Sequence, residues 1–303
     1  MSLDTDQIID RRRLKRRLTL WRIAAVVAVI GIAVLAVGRD EQLVGRDYIA
    51  RLAVEGVIFD NPDRHELLRT LALDGSVKAL IVRINSPGGT VVGGEALYHS
   101  LRKFSEKKPV VAVMGETATS AAYMVALSAD RIFAHAGSVT GSIGVLMQTA
   151  DITRLLEKIG IKPESIKSGV LKAQPNPLEP FTDTARAAVR EVVLDLHQMF
   201  VDMVENRRDM TAQQARDLAD GRVYTGRQAL QNGLLDALGG QTEAREWLAK
   251  VRKIDPNLPV RDVGVDRLSD SWRVLFGELI GKILFSERLR LDGPISVWHP
   301  ELP

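Results

Sequence analysis

Apolar runs and amphipathic stretches alternate between residues 47 and 134. Residues 47–58 alternate as a strand does, and residues 64–73 have helical spacing. The run K-A-L-I-V-R-I (78–84) is almost continuously apolar and rich in β-branched residues, which is typical of a strand buried on both faces. Residues 94–104 then predict another helix.

The same unit follows a second time. Residues 108–114 predict a buried strand, residues 120–127 a helix, and R-I-F-A (131–134) a short third strand. Strands that alternate with helices are typical of a mostly parallel sheet built from layered βα units. The predicted fold class is therefore α/β.

Beyond residue 150 the pattern becomes mainly helical. It predicts a helix that ends at Gly160, a short strand, a connection with three prolines, and a long amphipathic helix over residues 183–208. Thr182 is a suitable N-cap for the long helix, and Thr211 opens a further short one. Apolar residues at helical spacing between 272 and 283 indicate core, a subunit contact or membrane-surface binding.

The amino terminus combines a basic cluster with an apolar run. Residues 1–17 are predicted to be a basic cytoplasmic tail, and residues 18–38 are long enough to cross a bilayer if Arg22 snorkels to the headgroups. A cleaved signal peptide is the alternative, although no A-x-A cleavage site follows the run. We expect a single-pass anchor.

Charge constrains orientation and partners. The positive-inside rule keeps the arginine cluster in the cytoplasm and places everything after about residue 39 outside it. The net charge of +3 is concentrated in that cluster, so the rest of the chain is not a basic nucleic-acid binder. The chain has no cysteine, which excludes disulfides and thiol catalysis.

Two short segments are candidates for chemistry. N-S-P-G-G (85–89) directly follows a buried strand, and its glycine amides could form an oxyanion hole, although an ordinary turn is equally consistent. Ser120 begins a predicted helix among small residues, where the free Ala121 amide could stabilise an oxyanion. A plain helix N-cap is the alternative for this serine.

A serine nucleophile needs a base. Only His135 among the histidines belongs to the sequence neighbourhood of Ser120, and a lysine can serve instead if burial keeps its amine uncharged. Most lysines, Lys167 included, are expected to be solvated. Lys172 follows the predicted short strand and precedes the prolines, and taken alone it is also consistent with a surface lysine.

Taken together, the motifs resemble one known family. They are N-S-P-G-G, A-T-S-A-A-Y, A-D-R-I-F-A, T-G-S-I-G-V, S-G-V-L-K-A and the segment of residues 221–240, in family order. The chain resembles the short, single-repeat form of the signal peptide peptidase A (SppA) family of membrane-anchored serine proteases, within the ClpP/crotonase-like superfamily. The resemblance covers residues 48–250.

The resemblance implies a site and an activity. Ser120 would be the nucleophile, Lys172 the general base and Ser142 the residue that orients the lysine, with an oxyanion hole at Gly88 and Ala121 and a further candidate amide at Gly89. The implied enzyme is a serine endopeptidase that needs no metal or cofactor. It would cleave hydrophobic peptides, such as remnant signal peptides, at the periplasmic side of the bacterial inner membrane.

The resemblance also implies an organisation. Residues 47–250 would form the protease domain and residues 251–303 a carboxyl-terminal extension, and short family members assemble into rings that can share the dyad between subunits. Ala121 and Ala122 depart from the glycines often found there, and we expect their methyls to narrow the cleft. A crotonase-like acyl-CoA enzyme and a non-catalytic membrane scaffold are the alternative functions.

Overall fold

The structure is a computed structural model that describes residues 21–22, 46–264 and 295–297. The strands are β1 (Tyr48–Ile58), β2 (Val77–Thr90), β3 (Val110–Thr119), β4 (Arg131–Ala134), β5 (Val139–Gly141), β6 (Val223–Thr225), β7 (Ala237–Leu238), β8 (Val260–Val263) and β9 (Ile295–Val297). The helices are α1 (Pro62–Leu73), α2 (Val91–Ser105), α3 (Ala121–Ala126), α4 (Thr153–Lys158), α5 (Asp183–Arg208), α6 (Ala212–Asp217), α7 (Gly226–Gln231) and α8 (Gln241–Arg252).

The described strands belong to one mostly parallel sheet. Its main path runs β6-β5-β3-β2-β1-β8, and β3 pairs with β4 in its first half and with β5 in its second. Only the β2–β9 and β5–β6 pairs are antiparallel among the described pairs. The predicted α/β class and the mostly parallel sheet are confirmed.

Helices cover both faces of this sheet, as the continuous apolar strands require. The larger core cluster joins one face of the sheet to α1, α2, α3 and α5. The smaller cluster packs Ile81 and Val111 of the other face against Ala244 and Leu248 of α8. Strand β8, which lies beyond residue 250, extends the sheet by pairing with β1.

Local sequence explains most helix boundaries. Thr182 caps α5 by accepting a hydrogen bond from the Ala185 amide, as its hydroxyl predicts. Helix α1 begins two residues before its predicted start because Asn61 provides the N-cap and Pro62 the first turn. The short helices of residues 153–158 and 212–217 also lie where the pattern predicts them.

Two expectations about local structure were wrong. N-S-P-G-G is not a turn after a strand but part of β2, because Gly88 and Gly89 pair with Val57 and Ile58 after a register shift. The short strand predicted before Lys172 is absent, and residues 159–182 contain neither helix nor strand.

The terminal predictions lie mostly outside the described residues. Of the predicted anchor over residues 18–38, only Trp21 and Arg22 are described, and the apolar stripe of residues 272–283 is not. Within the described part of the chain, no helix has both the length and the apolar character needed to cross a membrane.

Candidate active site

Ser120 occupies the junction between β3 and α3 in a strained conformation. Its backbone has φ 58° and ψ −124°, a region that costs a non-glycine residue about 1 to 3 kcal/mol. The residue is 1% exposed, and its Oγ has no hydrogen-bond partner among the described residues. A buried, unpaired hydroxyl costs about another 1 to 3 kcal/mol. Two such costs at one residue are typical of a functional position.

Strand pairing brings Ser142 beside Ser120. The β3–β5 register pairs Thr119 with Gly141, and the Ser120 amide donates to the Gly141 carbonyl at 2.8 Å. The residue that follows the end of β5 is Ser142, itself at φ 50° and held by an amide hydrogen bond of 2.8 Å to the Arg222 carbonyl. The structure thus brings together two of the three predicted catalytic residues, Ser120 and Ser142.

Hydrogen bonds fix the end of β2 beside the end of β3. The Thr119 hydroxyl donates to the Pro87 carbonyl at 3.0 Å, and the Thr117 amide donates to Asn85 Oδ1 at 3.2 Å. On the other side, the Ser86 hydroxyl donates to the Gly56 carbonyl of β1 at 2.6 Å. Sequence reasoning did not single out Thr119 or Ser86, because their role depends on which strands become neighbours.

The predicted oxyanion amides differ in their surroundings. Ala121 is the first residue of α3, where helix geometry leaves the amide without an intrahelical acceptor. Gly88 has φ 115°, which favours glycine, but its amide donates to Ser86 Oγ at 3.1 Å. A Cβ at Gly89 would lie 2.0 Å from the Ile58 carbonyl oxygen, so only glycine fits there. The Gly88 amide would have to change acceptor to bind an oxyanion.

The expectation that Ala121 and Ala122 narrow the cleft is not supported. Both residues are fully buried, and Ala122 belongs to the larger core cluster. A methyl added at Gly94 of α2 would lie 2.9 Å from Ala121 Cβ and 3.1 Å from the Met124 sulfur. The Ala121 methyl therefore packs against α2.

This close packing makes Gly94 a sensitive position. We expect Gly94→Ala to destabilise the fold by about 1 to 3 kcal/mol, since overpacking outweighs the better helix propensity of alanine. Because the added methyl presses on α3, kcat should fall as well. Thermal unfolding and peptide hydrolysis measure the two effects. Gly75→Ala is the control, since its Cβ would meet nothing within 4 Å; equal effects of both variants would contradict the packing argument.

The described histidines contact residues other than Ser120. The His135 ring lies over Gly240, where a Cβ would be 3.1 Å from Cε1, and Gly240 is next to α8 on the other face of the sheet. His65 contacts Asp60 and Ser100, His99 lies 3.8 Å from Glu95, and His197 contacts the Ala219 carbonyl. No described histidine forms a hydrogen bond with Ser120.

Lys172 lies on an exposed segment. Its side chain is exposed, and its backbone amide donates to the Gly169 carbonyl at 3.0 Å. In the part of the chain that the structure describes, no hydrogen bond joins its amine to Ser120. In a single copy of the chain, the predicted base is therefore exposed to water.

Lys167 was wrongly expected to be solvated. Its side chain is only 15% exposed and forms an ion pair with Glu179, which also accepts a hydrogen bond from Gln174 at 2.8 Å. Hydrogen bonding to Lys167 lowers the pKa of the Glu179 carboxyl. The Lys167 amine is therefore engaged by a carboxylate and is not free to contact Ser120.

Large apolar side chains are exposed along the segment that carries Lys172. Each has at least about half of its area in contact with solvent in the single chain, and nothing in the described part of the chain covers them. They are Leu155, Ile159, Ile161, Ile166 and Val170. A cluster of exposed large apolar side chains in one segment is typical of a protein–protein interface.

Comparison with known proteins assigns the chain to a family. The sequence profile of peptidase family S49 matches residues 102–255, half of the chain, including Ser120, Ser142 and Lys172. A Synechocystis protein assigned as a protease, slr0021, is 37% identical over 214 residues, which is 70% of this chain and 77% of that protein.

Two further relatives are named after the same kind of enzyme. A protein assigned as signal peptide peptidase SppA in Enterococcus faecium is 31% identical, over 68% of this chain and 64% of its own length. The chloroplastic serine protease SPPA of Arabidopsis thaliana is 34% identical over 68% of this chain but only 31% of that longer protein. On these matches, the chain belongs to peptidase family S49.

Proposed function

We propose that the protein is a serine endopeptidase that cleaves hydrophobic peptides by a Ser120/Lys172 dyad. The observation that carries this proposal is the Ser120 hydroxyl, which is buried, unpaired and held in a strained backbone conformation. A plain N-cap serine would accept a hydrogen bond from its own helix, and the Ser120 side chain makes no such bond. The hydroxyl is therefore free to attack.

The chemistry follows the usual course of acyl transfer. The uncharged Lys172 amine takes the proton of Ser120 Oγ, and Oγ adds to the carbonyl carbon of the scissile peptide bond. Ser142 accepts a hydrogen bond from the amine and orients it. The amides of Ala121 and Gly88, with Gly89 as a further candidate, stabilise the oxyanion. The lysine then returns the proton to the leaving amine, and water hydrolyses the acyl-enzyme by the same route.

The base reaches the serine in an assembly of copies. Lys172 is exposed in the single chain, and so are apolar neighbours such as Ile166 and Val170. Contact with another copy would remove these apolar side chains from water, at about 25 cal/mol per Å². The same contact would desolvate the amine, which favours its uncharged form. A homo-oligomeric ring in which one subunit supplies Lys172 to its neighbour satisfies both requirements.

The substrates would be peptides met at a membrane. The basic and apolar amino-terminal segments support an inner-membrane anchor with the catalytic domain in the periplasm. The name of the Enterococcus faecium relative supports remnant signal peptides as the substrate class.

A serine-directed probe tests the proposal. We expect a biotinylated phosphonate to modify the full-length, detergent-solubilised chain at Ser120, because Ser120 alone among the buried serines that the structure describes combines strain with an unpaired hydroxyl. Peptide mass spectrometry locates the adduct, and hydrolysis of a fluorogenic hydrophobic peptide should be lost in proportion to labelling. The assignment would be contradicted if the probe modified other residues and left Ser120 unmodified. It would also be contradicted if the unlabelled chain did not hydrolyse the peptide.

A further inference from the structure

One peptide group in β2 is held by hydrogen bonds at both of its polar atoms. The Pro87 carbonyl accepts a hydrogen bond from the Thr119 hydroxyl at 3.0 Å, and the Gly88 amide of the same peptide donates to Ser86 Oγ at 3.1 Å. Thr119 directly precedes Ser120, so the carbonyl faces the strand of the proposed nucleophile. Because the carbonyl and amide of a trans peptide point in opposite directions, the amide is turned away from that strand.

Ser86 is a good acceptor for this amide. The residue is fully buried, and its Oγ donates to the Gly56 carbonyl of β1 at 2.6 Å, closer than the Gly88 carbonyl at 3.3 Å. A hydroxyl that donates one short hydrogen bond is polarised and accepts a second one more strongly. The bond also spans the register shift where β2 places Ser86 and Pro87 opposite Gly56. Ser86 therefore links the Gly88 amide to β1.

The P-G sequence allows this peptide group to take a second orientation. Turning a peptide group over changes ψ of the residue before it and φ of the residue after it. The ring of Pro87 fixes its φ but leaves its ψ free, and Gly88, at φ 115°, has no Cβ to exclude either sign of φ. Type I and type II turns differ by the same change at their central peptide. The Gly88 amide can thus turn toward Ser120 while the flanking strand stays in place.

We propose that Ser86 is a positioning residue that holds the Pro87–Gly88 peptide in an inactive orientation, and that this peptide turns over when Ser120 attacks. The inference rests on the proposed function, because it concerns the same oxyanion site. A substrate carbonyl is a neutral acceptor and does not displace Ser86 Oγ. An oxyanion forms charge-assisted hydrogen bonds that are about twice as strong, so it does. The Gly88 amide therefore binds the transition state in preference to the substrate.

Removal of the Ser86 hydroxyl should accelerate hydrolysis. In Ser86→Ala the amide has no resident acceptor, so this bond no longer has to be broken on the way to the transition state. We expect kcat/KM for a fluorogenic hydrophobic peptide to rise about fivefold, the factor for one neutral hydrogen bond. The Ki of a peptide boronic acid, whose tetrahedral adduct with Ser120 is negatively charged, should fall by the same factor. A merely structural role of Ser86 predicts the opposite change in both quantities.

Two further variants of the full-length, detergent-solubilised chain complete the experiment. Thr140→Val is the matched control, because the buried Thr140 hydroxyl also joins two strands, donating to the Ala118 carbonyl at 2.7 Å. It should lower the melting temperature and raise neither kcat/KM nor the affinity for the boronic acid. Ser86→Cys keeps a side chain of similar shape but a weaker acceptor, so it should give a smaller rise in kcat/KM. It replaces Ser86→Ala if thermal unfolding shows that the alanine variant does not fold.

The outcomes separate this inference from the proposed function. If kcat/KM of the Ser86 variants is unchanged or lower, or if Thr140→Val raises it equally, Ser86 does not hold the amide back and the inference fails. Hydrolysis by the unmodified chain and its loss in Ser120→Ala would then still support the protease. If the unmodified chain neither hydrolyses the peptide nor binds the boronic acid, both the inference and the proposed function fail.

Discussion

Replacement of Ser120 by alanine is expected to lower kcat for peptide hydrolysis by at least about 10⁴-fold, since loss of a nucleophile removes nearly all covalent catalysis. The free energy of unfolding should rise by about 1 to 3 kcal/mol, because alanine removes a buried hydroxyl that has no hydrogen-bond partner in the described part of the chain. Hydrolysis of a fluorogenic peptide and thermal unfolding of the same preparation measure the two quantities.

Ser128→Ala is the matched control for this experiment. Ser128 is also buried, two residues after the end of α3, but its hydroxyl donates to the Val125 carbonyl at 2.6 Å. Its removal should cost about 1 kcal/mol of stability and leave kcat within about twofold. The reverse pattern, with activity lost at Ser128 and retained at Ser120, would remove Ser120 from the mechanism.

Much of the fold can be predicted because its signals are local. The apolar run of residues 78–84 and its counterpart at 108–114 are each long enough to require burial on both faces, and they form the centre of the sheet. Thr182 predicts the start of α5 because its hydroxyl satisfies an orphan amide of the first turn. Such features depend on neighbours within about four residues.

The site is only partly predictable because its geometry depends on distant neighbours. P-G-G has the local preferences of a turn, yet pairing with β1 holds Gly88 and Gly89 in a strand. The nearness of Ser120 to Ser142 in the chain fold follows from the β3–β5 register, which nothing local to either serine specifies. The pairing of Lys167 with Glu179 has the same origin, since the two residues are 12 positions apart.

Replacement of Lys172 by alanine is expected to reduce kcat nearly to the level of Ser120→Ala, because a serine hydroxyl without a base is a weak nucleophile. Lys162→Ala is the control, since Lys162 is another exposed lysine in the same part of the chain. It should retain activity within about twofold. Peptide hydrolysis under identical conditions compares the two variants, and full activity of Lys172→Ala would exclude this residue as the base.

Mixing the two inactive variants then tests whether the dyad is shared. In a ring formed from equal amounts of co-expressed Ser120→Ala and Lys172→Ala chains, each site needs an intact serine from one subunit and an intact lysine from its neighbour. Random assembly provides this combination at about one quarter of the sites. About one quarter of the activity of the unmodified chain should therefore return. A dyad built within one chain would give no recovery, because every chain in the mixture lacks one of the two residues. We expect recovery of activity, because Lys172 and the apolar side chains around it are exposed to water in a single copy and would be covered by a neighbouring subunit.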